Sequence, residues 1–283
     1  MEIRRTKRAL DNLDLKAKKS LGQHFLIDRH VLGKVVKAAE LAPDDLVVEV
    51  GPGLGVLTRE LAARAGQVIA VEIDGRMVSL LEDALHDFNN VKIISGDILE
   101  TNLSFLETGR PYKVVANLPY YIASAVLRFF LEAEHRPELM VTMVQKEVAQ
   151  EIAARPGKMG LLSVAVQVYA RPEIISYVPP SSFYPPPKVS SAILKLVPYS
   201  DLPFSRADRE SFFNVVRAGF QGKRKQIVNS LSQGLGQDKV NILNLLSRAG
   251  LEPYRRAETL SLEEWLKLWS CYEEMLGESI SPG

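Results

Sequence analysis

The run Leu46-Val47-Val48-Glu49-Val50 leads without a break into Gly51-Pro52-Gly53-Leu54-Gly55, and from there into a helical pattern that begins near Val56. An apolar strand, a glycine turn and a helix form a βα unit, which carries backbone N–H groups and a helix N-terminus up to a ligand. The next strand, Val68-Ile69-Ala70-Val71, ends in Glu72. That acid stands about twenty residues beyond the glycines, where a carboxylate can hydrogen-bond ribose hydroxyls. The glycines do not follow the G-x-G-x-x-G order of dinucleotide sites, and they suit a smaller, adenosine-bearing ligand without a pyrophosphate.

A third strand, Val91-Lys92-Ile93-Ile94, ends at Gly96-Asp97, and a fourth, Lys113 to Ala116, ends at Asn117. Open α/β sheets bind ligands at the carboxyl ends of their strands, so Glu72, Asp97 and Asn117 are expected along one rim. Asn117 opens the run Asn117-Leu118-Pro119-Tyr120. The Asn oxygen and the Leu118 carbonyl can accept hydrogen bonds from an exocyclic amine, while Tyr120 offers a ring on which a base stacks.

With 283 residues and 46% apolar content, the chain has room for one full α/β domain and a smaller one. Its 35 basic and 34 acidic residues nearly cancel, so a nucleic-acid partner must be met by a local basic patch. A single cysteine, Cys271, excludes an internal disulfide and a cysteine cluster for zinc, and no metal is expected. Neither a signal-peptide core nor an apolar run of membrane length is present, which points to a soluble, cytoplasmic protein with no membrane partner. Nothing in the pattern suggests a dimer seam, and a monomer is expected.

Residues 1–19 read as a basic N-terminal arm, followed by Ser20-Leu21-Gly22-Gln23-His24-Phe25-Leu26. After Tyr120 come an amphipathic helix from about Ala123 to Ala133, the strand Leu139 to Val144, and helical stretches at Lys146 to Arg155 and Leu161 to Ala170. Strands at Glu173 to Val178 and Ser190 to Val197 flank a proline-stiffened loop, which is expected to hold Phe183 out of the core. Pro198 to Pro203 reads as the boundary between a domain spanning 20–200 and a helical one spanning 201–283. In the latter, Arg217, Lys223, Arg224 and Lys225 form a basic cluster that can engage phosphates.

Taken together, Gly22 to Leu26, Glu49 to Gly55, Glu72, Gly96-Asp97, Asn117 to Tyr120, Val144 to Ala149, Phe183 to Lys188 and Phe220 to Leu231 resemble the ribosomal RNA adenine N6-dimethyltransferases, in particular the bacterial small-subunit type. The resemblance covers nearly the whole chain. It implies a Rossmann-like, S-adenosylmethionine-dependent methyltransferase sheet with a smaller, all-helical C-terminal domain that contributes to RNA binding. By the same resemblance, the cofactor is held by His24 and Leu26, by the Gly51 and Gly53 loop, by Glu72 at the ribose and by Asp97 at the adenine amine. Asn117 stands where its methyl group meets the target base, which Leu118, Tyr120 and Phe183 help to hold. The implied substrate is a pair of adjacent adenosines in the 3′-terminal hairpin of 16S ribosomal RNA, in a small subunit or its precursor. A large-subunit methyltransferase of the antibiotic-resistance type and an assembly factor with incidental methylation remain alternatives. Tyr121, Ala123 and Ser190 depart from residues frequent in relatives, which bears on the shape of the base pocket more than on the reaction.

Overall fold

The computed structural model describes residues 23–101, 109–222 and 224–280. The arm at 1–19, Ser20-Leu21-Gly22 and Lys223 therefore lie outside the described residues. By internal contacts the chain divides into two units, one of residues 1–149 with 170–198 and one of residues 150–169 with 199–283.

The first unit is built on a mixed sheet. Its chain runs through β1 (Phe25–Leu26), α1 (Arg29–Ala38), β2 (Leu46–Val50), α2 (Val56–Ala62), β3 (Gln67–Glu72), α3 (Gly75–Leu85), β4 (Val91–Ser95), β5 (Tyr112–Asn117), α4 (Ala123–Leu131) and β6 (Leu139–Gln145). Helix α5 (Lys146–Ile152) straddles the division between the units. Beyond α6 (Leu161–Gln167) the sheet resumes with β7 (Ala170–Val178), β8 (Phe183–Tyr184) and β9 (Ser191–Pro198). Seven strands lie in the order β4-β3-β2-β5-β6-β9-β7. The first five are parallel; β9 runs antiparallel to both β6 and β7. This is the α/β, Rossmann-like arrangement expected from the alternation of strands and helices.

Burial explains why these stretches are strands. Every residue of β2 is buried, as a parallel strand covered by helices on both faces demands. On one face Val47, Val115, Val141, Met143 and Ile193 meet Leu32, Val35 and Val36 of α1 and Leu57 and Leu61 of α2. Asp28 starts α1 by accepting hydrogen bonds from the N–H groups of His30 and Val31. The strands at the proline loop flank it as antiparallel neighbours, with β7 at the outer edge.

The second unit is helical: α6, α7 (Arg209–Gly219), α8 (Ile227–Leu235), α9 (Lys239–Ala249) and α10 (Leu262–Ile280). Its contents differ from the contiguous 20–200 and 201–283 division expected from composition, because residues 150–169 join it. The Tyr169 ring packs against Phe204 and Phe213 at 5.9 and 6.3 Å, and Gly157 N–H donates to the Glu258 carbonyl at 2.8 Å. A linker rich in proline marks where the chain crosses, not which residues it later packs with. Trp265 is fully buried, with its ring stacked on Phe220 at 5.3 Å. Helices α7 and α8 approach closely at Gly234, where an added Cβ would stand 2.5 Å from the Ala218 Cα. Replacing Gly234→Ala should therefore cost about 1–3 kcal/mol in chemical denaturation, since the obstacle is backbone and cannot swing aside. An unchanged midpoint would mean that the two helices separate at no cost.

Candidate functional site

A cavity opens at the carboxyl ends of β2, β3, β4 and β5 in the first unit. His24, Leu26, Gly51, Gly53, Glu72, Asp97, Asn117, Leu118 and Tyr120, the residues singled out from sequence at this rim, all line it. Strand geometry brings them together: Asn117 pairs with Met143 at the end of β5, and Glu72 pairs with Ser95 at the end of β3, one residue short of Gly96-Asp97.

The glycine loop is set between the Phe25 ring and the Glu72 carboxyl. Gly53 has a φ of 57°, a left-handed conformation, and an added Cβ would come within 3.1 Å of the Phe25 ring. Its N–H donates to Glu72 Oε2 at 3.1 Å, while Asp74 N–H donates to Oε1 at 2.9 Å. Both Glu72 oxygens are thus tied to backbone, which fixes the carboxyl beside the loop and leaves its remaining lone pairs for a ligand. Burial raises the Glu72 carboxyl above its ordinary range despite these bonds.

Asn117 is oriented by a single contact. Its Nδ2 donates to the His24 carbonyl at 3.0 Å, so the amide oxygen is the atom left to accept from a ligand. His24 is itself set by Nδ1, which lies 2.7 Å from the Pro185 carbonyl and must carry the proton there. The His24 and Tyr120 rings lie 5.8 Å apart, and the Tyr120 hydroxyl hydrogen-bonds the Ser191 hydroxyl at 2.7 Å. Tyr120 is therefore pinned at both ends.

Phe183 is not brought to the cavity. It is 2% exposed and sits in the core with Leu26, Val31, Met143 and Ile193. The reason is register: β8 pairs antiparallel with β1, Phe183 opposite Leu26 and Tyr184 opposite Phe25, which turns Phe183 into the apolar layer. The proline loop holds its ring in the core, where sequence reasoning expected it held out. Arg217, Arg224 and Lys225 belong to the second unit. There Arg217 is ion-paired with Glu210 and the Lys225 ammonium donates to Gln233.

Among the lining residues given no role from sequence are Ile73, Ile98 and Glu49. Ile73 and Ile98 directly follow Glu72 and Asp97, and their place one step past each acid was the available signal. Glu49 lines the cavity from inside β2 and is 1% exposed. A charged residue in an otherwise apolar strand was the clue. Burial pushes its carboxyl up to about 8, and the charge of the neighbouring Glu72 adds to the rise. Neither Glu49 Oε2 nor Thr58 Oγ1 has a hydrogen-bond partner.

An orphaned carboxyl oxygen, two further acids and a left-handed glycine loop fit a ligand that carries positive charge at one end and an adenosine at the other. S-adenosylmethionine, with an ammonium, a sulfonium and an adenosine, has that composition. The titration of Glu49 has a testable sign. Folded, it keeps its proton up to about 8, while unfolded it loses it near 4.5, so the ligand-free protein loses stability as pH rises through that window. Glu49→Gln should abolish this loss, raising the melting temperature relative to the parent by on the order of 5 °C at pH 9 and by little at pH 4.5. Parallel melting curves across pH would contradict the assignment.

The geometry has counterparts. Residues 14–273 match the family model described as ribosomal RNA adenine dimethylase. The chain is 53% identical over 269 residues to ribosomal RNA small subunit methyltransferase A of Dehalococcoides mccartyi, covering 95% of this chain and 92% of the relative. It is 45% identical to the protein of the same name from Moorella thermoacetica, covering 89% and 91%. Among solved structures, a dimethyladenosine transferase from Plasmodium falciparum superposes with a TM-score of 0.74 at 28% identity, over 89% of this chain and 98% of that one. The 23S rRNA methyltransferase ErmE gives 0.71 at 31%, over 88% and 99%. This chain belongs to the ribosomal RNA adenine dimethylase family and is a methyltransferase.

Proposed function

We propose that the protein transfers methyl groups from S-adenosylmethionine to N6 of two adjacent adenosines in small-subunit ribosomal RNA, giving N6,N6-dimethyladenosine. The single observation that carries this reading is the orientation of Asn117, whose amide oxygen is left to face the cavity once Nδ2 is held by His24. The small-subunit target is supported by relatives of that name at 53% and 45% identity. The large-subunit enzyme is the more distant likeness at 31%.

The cofactor supplies an electrophilic methyl on a sulfonium, so the residues have only to bind and aim. Glu49 and Asp97 are positioned to meet the amino groups of such a ligand, Glu72 its ribose, and Gly51 and Gly53 let its chain approach the backbone. The N6 lone pair of adenine is delocalised into the ring. Hydrogen bonds donated by its two N–H groups to Asn117 Oδ1 and the Leu118 carbonyl would pull the nitrogen toward a tetrahedral shape and free its lone pair for attack. Tyr120, fixed by Ser191, gives the extruded base one stacking face, and such a contact contributes roughly 1–3 kcal/mol. Each transfer would replace one N–H by N–CH3, the displaced proton passing to solvent, so the dimethylated product has no donor left for Asn117. Phosphate contacts are assigned to Arg217, Lys223, Arg224 and Lys225, whose charge stands without a carboxylate between them in sequence.

Two substitutions separate these roles. Asn117→Ala should lower turnover by about 100-fold with cofactor affinity nearly unchanged, since it removes an interaction made in the transition state. Glu72→Ala should weaken cofactor binding by about tenfold or more, through the lost acceptor and the released glycine loop. Calorimetry with cofactor, beside methyl transfer to undermethylated small subunits, reads both. Equal effects of the two variants on both quantities would sink the assignment.

A further inference from the structure

The first unit exposes three large apolar side chains among its described residues: Ile73 at 50%, Tyr121 at 57% and Tyr177 at 50%. All three lie at the carboxyl edge of the sheet, after β3, after β5 and at the end of β7. Ile73 and Tyr121 line the cavity, but Tyr177 does not. It lies further along the same edge. Gln145 pairs with Ser191, Ser191 with Val178, and Ala192 with Tyr177, so the strand that carries Tyr177 is three steps from the strand that ends in Asn117. At the spacing of strands in a sheet that is about 14 Å, which an unstacked single strand spans within a few nucleotides.

Tyr177 also carries a cation. The Lys146 ammonium lies 5.3 Å from the centre of its ring, and the Lys146 backbone N–H is held by the Ser190 carbonyl at 3.0 Å. A cation against one aromatic face leaves a flat ring and a positive charge together, the pairing that takes a base and its phosphate. The neighbouring Ser191 hydroxyl anchors Tyr120, so one short stretch of β9 supports both aromatic positions. An edge-strand tyrosine with a lysine over it can be a purely structural pair. What speaks for a ligand is that the large apolar side chains exposed among the described residues of this unit all stand along the edge at which the cavity opens.

We propose that Tyr177 and Lys146 form a second nucleotide site, on which a base flanking the target adenosine stacks while its phosphate meets the lysine. This rests on the RNA-methylating function above and adds a substrate-gripping position outside the cavity.

The test is steady-state methyl transfer to undermethylated small subunits by the parent, Tyr177→Ala, Tyr177→Phe and Lys146→Gln, with cofactor affinity measured alongside. Tyr177→Ala should raise KM for the subunit by about tenfold at nearly constant kcat and cofactor affinity, while Tyr177→Phe stays within about twofold of the parent. Lys146→Gln should flatten the salt dependence of KM. A KM unchanged in Tyr177→Ala while the parent methylates normally overturns this site alone; a parent that transfers no methyl group to the subunit overturns the proposed function and this site with it. Photocrosslinking of the unaltered enzyme to 4-thiouridine-substituted small-subunit RNA removes any dependence on variant folding. A crosslink at Tyr177 supports the site, and crosslinks found only elsewhere on the protein overturn it.

Discussion

The hydrogen bond from Asn117 Nδ2 to the His24 carbonyl determines which half of one amide the cavity presents. An amide has a donor end and an acceptor end, and methylation of an exocyclic amine needs the acceptor end. The bond also explains why the N-terminal motif must return to the sheet. His24 is placed by β1, β1 is paired with β8, and the loop after β8 supplies the Pro185 carbonyl that holds the His24 ring. Residues separated by 93 positions in the chain are thereby held at 3.0 Å. Leu26 packs the same strap onto the core, which ties the orientation of Asn117 to the packing of the whole first unit.

Around this amide the cavity concentrates buried acid. Glu49 and Glu72 are both almost fully enclosed, and burial raises both carboxyls above their ordinary range. Buried carboxyls of like charge are costly to ionise until a cation arrives. A positively charged ligand removes that cost, so the feature that weakens the ligand-free protein favours the loaded one. Glu72 shows how one side chain serves both purposes, since its oxygens hold the glycine loop in shape while facing the cavity.

The strand ends were readable because period and punctuation agree there: an apolar run, then a glycine, acid or amide, repeated at Val50, Val71, Ile94 and Ala116. Strand order follows from the parallel alternation, and with it the common rim. Phe183 was not readable, because whether an aromatic in a proline loop faces in or out is set by its pairing with Leu26, a register between residues far apart in sequence. That residues 150–169 cluster with the helical unit was not readable for a similar reason: the ring contacts of Tyr169 with Phe204 and Phe213 join stretches that lie before β7 and after β9 in the chain. Glu49 was visible as an anomaly within an apolar strand, but its enclosure and its missing partner are properties of the packed structure alone.

The most direct measurement is the chemical identity and location of the product. Undermethylated small subunits, large-subunit RNA and DNA would each be incubated with enzyme and isotopically labelled S-adenosylmethionine, then digested and resolved by mass spectrometry. Label recovered as N6,N6-dimethyladenosine from two adjacent positions of the small-subunit RNA, and from neither of the other substrates, is the expected result. Label in large-subunit RNA, or cofactor binding with no transfer to any of the three, would contradict it.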